Sequence, residues 1–164
     1  MPVNVQKVAS AELRAVLDSV PDRLFIGGEW KSARDRFPVR NPATGEVIAE
    51  VADAGPELAV AALDAAAAAQ SGWRRVAPRA RANLFHKAHA LMTSRAEDFA
   101  RIMTLESGKP LSESRAEFAL SADFFLWFAE QIAHLHGTYA ESSHGGFRIV
   151  TTHQPIGPCL LITP

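Results

Sequence analysis

The 164-residue chain reads as an α/β protein whose sheet is incomplete. Three observations carry that expectation. The first fifty residues break into short strand-like runs separated by turns, marked helices follow from Pro56, and a continuous apolar run occupies residues 159–163. An apolar run without alternation suits a strand buried on both faces, as in parallel sheets covered by helices. One such strand makes no sheet, so the architecture looks unfinished at its carboxyl end.

Residues 11–20 place Leu13, Val16, Leu17 and Val20 at helical spacing before Pro21, predicting a short amphipathic helix. Leu24 to Ile26 and Glu29 to Lys31 flank Gly27-Gly28, a pair that tolerates positive φ at both turn positions and so suits a two-residue hairpin. Asn41-Pro42-Ala43-Thr44-Gly45 is a second turn, and residues 47–51 continue as a strand. Pro56 and Glu57 open an alanine-rich helix with Gly72 as its expected end. Pro78 opens the next, with Leu84, Phe85, Ala88, Leu91 and Met92 on one stripe. Ser94 and Glu97 match a capping box ahead of a helix that Gly108 closes.

From Pro110 a long helix is expected to run to about His136, with Gly137 as its stop. Phe118, Ala122, Phe125, Ala129 and Ile132 form its main apolar seam. Phe124, Leu126, Trp127 and Phe128 lie off that seam and predict burial on more than one side. After a loop through Ser142, Ser143, Gly145 and Gly146, residues 147–154 alternate as an exposed or edge strand, and Pro155-Ile156-Gly157 turns the chain. No internal repeat appears, and the alanine run at 65–69 reads as helix.

Composition narrows the function classes. Seventeen Lys and Arg against eighteen Asp and Glu leave a formal charge of -1, which supplies no field for drawing in nucleic acid or an anionic membrane. Cys159 is the only cysteine, which rules out an internal disulfide or a thiolate zinc site. The first twenty residues lack a continuous apolar run, and the apolar stretch at 124–129 is far too short to span a bilayer, so cytoplasmic residence is the expectation by elimination.

Five strings recur in a telling order: Leu24-Phe25-Ile26-Gly27-Gly28-Glu29-Trp30; Asn41-Pro42-Ala43-Thr44-Gly45-Glu46-Val47-Ile48; Trp73 with Pro78 and Arg81; Leu105-Glu106-Ser107-Gly108-Lys109-Pro110-Leu111 with Glu113 and Glu117; and Gln154-Pro155-Ile156-Gly157 leading into Ile162-Thr163-Pro164. Each is a weak turn or cap signal alone. In register from Leu24 to Pro164 they resemble the aldehyde dehydrogenase superfamily, with the succinate-semialdehyde dehydrogenases as the branch most alike.

The resemblance implies the amino-terminal part of that fold: a tail at 1–23, the strands and helices of the NAD(P)-binding domain at 24–141, an oligomerisation arm at 142–156, and the first strand of a Rossmann-like sheet at 157–164. It implies that Ile162, Thr163 and Pro164 border the NAD or NADP cofactor, since ligands of open parallel sheets sit beyond the carboxyl ends of the strands. It further implies a homo-oligomer paired through residues 147–154. The family chemistry requires a cysteine thiolate to attack a small aldehyde, hydride transfer to the cofactor, and a glutamate to activate water. These 164 residues are expected to hold none of those catalytic groups, nor the cofactor glycines, so cofactor binding by this chain alone is not expected. A non-catalytic interaction subunit is the alternative from another class, and a ligand-free helical module is a third.

The remaining residues have bland readings. Cys159, inside an apolar run with no neighbouring His or Lys, is expected to be an inert buried thiol. Glu106 and Lys109 flank a helix end, where Lys meets free carbonyls; the resemblance would allow Glu106 to join a monovalent-cation site. His134 and His136 point different ways, while His86 and His89 share a face without a third ligand, so no metal site is expected. Arg74, Arg75, Arg79 and Arg81 beside Trp73 read as a solvated face or interface.

Overall fold

The computed structural model describes residues 11–162. Its elements run α1 (Ala11–Asp18), β1 (Leu24–Ile26), β2 (Glu29–Lys31), β3 (Asp35–Arg40), β4 (Val47–Asp53), α2 (Pro56–Trp73), α3 (Pro78–Ser94), α4 (Ala96–Ser107), α5 (Leu111–Ile132), β5 (Tyr139–Glu141) and β6 (Arg148–Val150). The strands form three separate antiparallel ribbons, β1-β2, β3-β4 and β5-β6.

Local chemistry explains the turns. Gly27 and Gly28 take φ of 65° and 89°, which lets Ile26 pair directly with Glu29. Asn41 is buried, and its side-chain oxygen accepts the Ala43 N–H at 2.9 Å, so the Asn-Pro-Ala-Thr-Gly turn carries its own hydrogen bond. No strand was specified at the position of β3, which carries Pro38 within its ladder. In a two-stranded ribbon each strand is an edge, where a missing N–H is tolerated, and Pro38 pairs opposite Glu50.

The core is helical. α5 packs on α3 and α4, α1 rests on α4, α2 touches β1, and α4 touches β3. Small residues allow the close approach: Ala82, Ala100, Ala122 and Ala129 are buried, with Leu105 and Phe118 filling between them. The Phe118 ring stacks on Phe99 at 4.7 Å between centroids, and Phe85 meets Phe125 at 5.7 Å. Ser114 is fully buried on α5 and its hydroxyl lies 2.8 Å from that of Thr104, which satisfies both groups in the core. Outside, Glu97 receives Arg115 through two contacts of 2.8 and 2.9 Å and Arg101 at 3.2 Å, tying α4 to α5.

Several boundaries differ from expectation. Gly72 lies inside α2 rather than past its end, because the helix continues to Trp73. The capping box does not form: Arg95 is the N-cap of α4, and the Ser94 hydroxyl instead donates back to the Leu91 carbonyl. Gly108 does close α4, with φ of 75° in the left-handed region. α5 starts at Leu111 with Pro110 as N-cap and ends at Ile132, four residues short of His136, giving 22 residues and a length of roughly 33 Å.

The expected burial of α5 on more than one side is also corrected. Phe118, Ala122 and Ala129 are buried, whereas Phe124, Trp127 and Phe128 are exposed, because α3 and α4 meet a single face. The strand expected over 147–154 shrinks to Arg148–Val150 and is not solitary. It pairs with β5 across Ser142 to Phe147, and the Ser142 amide donates to the Phe147 carbonyl at 3.1 Å.

Candidate functional site

The residues expected to border a cofactor sit at the end of the polypeptide after β6. Residues 151–162 run without secondary structure, so the parallel strand expected over 159–163 is not formed among the described residues. A single apolar segment cannot pair with itself, and Leu160, Leu161 and Ile162 are correspondingly 84%, 84% and 87% exposed. Thr163 and Pro164 lie outside the described residues. Among the described residues no strand pairs with the segment at Ile162.

Cys159 is exposed rather than buried, for the same reason: the sheet that would cover it is not present among the described residues. Its Sγ contacts the Gly157 carbonyl at 3.7 Å. Lys109 meets the Glu117 carboxylate instead of free carbonyls at the end of α4, and Glu106 is exposed beside it. The rings of His134 and His136 stand nearly perpendicular with centroids 6.2 Å apart, and His89 Nε2 lies 3.5 Å from the Thr93 hydroxyl. Among the described residues no group of three or more His, Cys, Asp or Glu is arranged to hold a metal ion.

Two carboxylates are held below the ordinary range. Glu97 is lowered chiefly by its hydrogen bond from Arg115, with further attraction from Arg115 and Arg101. Asp22 is lowered chiefly by the Arg36 side chain, 2.5 Å away. A carboxylate already committed to guanidinium groups is a poor proton acceptor, so both act as clasps between elements and neither is a free general base.

One concavity stands beside the segment that leads to Ile162. An open groove of 440 Å³ lies between Trp73, Arg74 and Arg81 on one side and residues 153–157 on the other, with His153 and Ile156 on its wall. Arg81 was expected on a solvated face or at an interface. It is half-buried, and its Nε is sealed from water with no hydrogen-bond partner. Residues 153–157, about seventy positions away, line the same groove, a neighbourhood that no local pattern around Pro78 could reveal.

The structure thus defines a mixed α/β layer of packed helices with short antiparallel ribbons. The aldehyde dehydrogenase family pattern matches residues 30–164, and the chain belongs to that family. It is 51% identical over 118 residues to a succinate-semialdehyde dehydrogenase of Paenarthrobacter nicotinovorans, covering 72% of this chain and 26% of that protein. The crystal structure of succinate-semialdehyde dehydrogenase from Burkholderia pseudomallei superposes with a TM-score of 0.72 at 36% identity, over 75% of this chain and 26% of that one. Betaine aldehyde dehydrogenase from Staphylococcus aureus, solved in complex with NAD+, gives 0.77 at 26% identity over 81% of this chain and 27% of that one. The chain is therefore similar to succinate-semialdehyde dehydrogenases and spans about a quarter of the length of the relatives it matches. Among the described residues no helix is long and apolar enough to cross a membrane.

Proposed function

We propose that this chain is the amino-terminal part of a cytoplasmic NAD(P)-dependent aldehyde dehydrogenase that oxidises succinate semialdehyde to succinate, and that the 164 residues alone have no turnover. The identity of 51% with a succinate-semialdehyde dehydrogenase carries the reading of the substrate. The span of about a quarter of the relatives' length, and the lack of a sheet around Ile162 among the described residues, support the inactivity. In the longer protein the nicotinamide cofactor supplies the hydride acceptor, with Ile162, Thr163 and Pro164 bordering it. The segments 1–23, 24–141, 142–156 and 157–164 then act as tail, helical lead-in, pairing arm and first sheet strand.

The test is NAD(P)H formation with succinate semialdehyde at high protein concentration, for the 164-residue chain and for the reading frame extended past the codon for Pro164. The expected result is no signal for the first and turnover for the second. Activity that follows the mass of the 164-residue chain refutes the inactivity, and an extended frame that oxidises other aldehydes but not succinate semialdehyde refutes the substrate.

A second reading rests on the β5-β6 ribbon. Its strands expose Tyr139, Ile149 and Val150, with Phe147 beside them, and both outer edges are unpaired among the described residues. Such an edge invites a further strand. On this reading the chain pairs through residues 147–154 with an intact aldehyde dehydrogenase, or with a second copy of itself, as a non-catalytic subunit. Co-purification with the full-length enzyme supports it, and a monomer at all concentrations sinks it.

A further inference from the structure

The β5-β6 ribbon is short for a structure with so little around it. Its two strands have three residues each, all six exposed, and no third strand joins them among the described residues. A lone two-stranded hairpin is at best marginal in water, because a further strand or a packed face is needed to offset the entropy of ordering it. Contacts at the turn and across the strands supply part of the offset. Ser142 is buried, its amide donates to the Phe147 carbonyl at 3.1 Å, and its hydroxyl accepts the His144 N–H at 3.2 Å. The Arg148 guanidinium lies over the Tyr139 ring, 5.6 Å from its centroid.

The base of the ribbon is built differently. Thr138 and Thr151 flank the last pair of the ladder, Tyr139 with Val150. The Thr151 N–H donates to the Thr138 carbonyl at 2.9 Å, whereas the Thr138 N–H donates to the Thr151 hydroxyl at 2.8 Å. The two hydroxyls are themselves hydrogen-bonded at 2.6 Å. Thr151 thus holds Thr138 through both its backbone and its side chain. Gly137 permits the close approach, since a Cβ there would stand 2.0 Å from the Thr151 carbonyl oxygen.

We propose that the Thr138–Thr151 pair is a clasp that keeps the β5-β6 ribbon formed with no strand against either outer edge. A ribbon held in advance presents its free N–H and C=O groups in register, so an added strand does not have to order them on arrival. The proposal deepens the second reading above, in which this ribbon receives a strand, but its test is made on the dilute chain and needs no pairing. A hydroxyl clasp is also separable from strand propensity. Valine favours strands more than serine does, yet only serine keeps the oxygen that accepts the Thr138 N–H.

The experiment measures amide hydrogen exchange by nuclear magnetic resonance on the dilute 164-residue chain, with each rate taken relative to its intrinsic value and the amides of α5 as internal reference. In the parent chain the Thr151 and Ser142 amides are expected to be protected. Thr151→Val loses both contacts of the hydroxyl and is expected to speed their exchange about tenfold, the effect of one to two hydrogen bonds. Thr138→Val loses the hydroxyl–hydroxyl contact alone and is expected to speed it about threefold. Thr151→Ser is expected to stay within about twofold of the parent, because the accepting oxygen is retained. The α5 amides are expected to keep their rates in all three variants. Unprotected Thr151 and Ser142 amides in the parent, parent-like protection in Thr151→Val, or a Thr151→Ser chain as labile as Thr151→Val overturns the proposal.

Discussion

The helical layer and the segment after α5 both carry large apolar side chains and behave oppositely. In α3, α4 and α5 each apolar stripe finds another, so Ala100 is fully buried and Phe118 is 5% exposed. After β6 the chain also carries large apolar residues, yet Ile156 is 93% exposed and Leu160 to Ile162 follow suit. The difference is one of partners and not of composition: burial requires a complementary face, and helices that follow each other closely in sequence provide it for one another. A single strand-like segment draws its neighbours from elsewhere in the chain.

Substitutions can break this comparison at either end. The largest effect is expected for Phe118→Ala, which removes the ring stacked on Phe99 and leaves a cavity between α4 and α5; loss of about 3–5 kcal/mol in chemical denaturation is the expectation, and a loss under 1 kcal/mol would show the layer to be loosely packed. Next comes the join between the two regions. A Cβ at Gly137 would stand 2.0 Å from the Thr151 carbonyl oxygen, a clash with backbone that no side-chain rotation relieves. Gly137→Ala is therefore expected to cost about 1–3 kcal/mol, seen as faster hydrogen exchange at the Thr151 amide, whose bond to the Thr138 carbonyl closes the β5-β6 ribbon, with α3 to α5 little changed.

A smaller effect concerns pH. Glu97 and Asp22 have lowered pKa values in the folded state, so the unfolded chain binds more protons through the acidic window. Their contribution is present above the ordinary carboxylate range and is lost as pH falls through the lowered folded values. Melting temperature should decline on acidification below that range, and Glu97→Gln should flatten the decline while leaving the neutral-to-alkaline side parallel to the parent. An unchanged acid limb would show the Glu97–Arg115 pair to be idle. The smallest effect is expected for Ile162→Ser, within about 0.5 kcal/mol, as for any surface change that touches nothing. A larger cost in the same denaturation assay would mean that this segment is docked in solution, and the contrast between the two regions would fail.

Much of the local structure was legible. The Gly27-Gly28 hairpin, the starts at Pro56 and Pro78 and the left-handed stop at Gly108 rest on backbone rules that act within four residues. The register of five short motifs from Leu24 to Pro164 was enough to point to the family, although each motif is only a turn or a cap. What stayed hidden was non-local. β3 and β5 each depend on a partner strand, and α5 stops at Ala133, ahead of the stop expected at Gly137.

The amino-acid sequence by itself determined the Gly27-Gly28 turn, the helix starts at Pro56 and Pro78 and the helix stop at Gly108, because a fixed φ at proline, a permitted positive φ at glycine and a missing N–H are properties of single residues. Only the tertiary structure decided which side of α5 is covered, that Cys159 and Ile162 stand open to solvent, and that the Arg81 Nε is shut off from water. Those outcomes depend on which surfaces meet, and a surface is shut off from solvent by another that chain order alone does not specify.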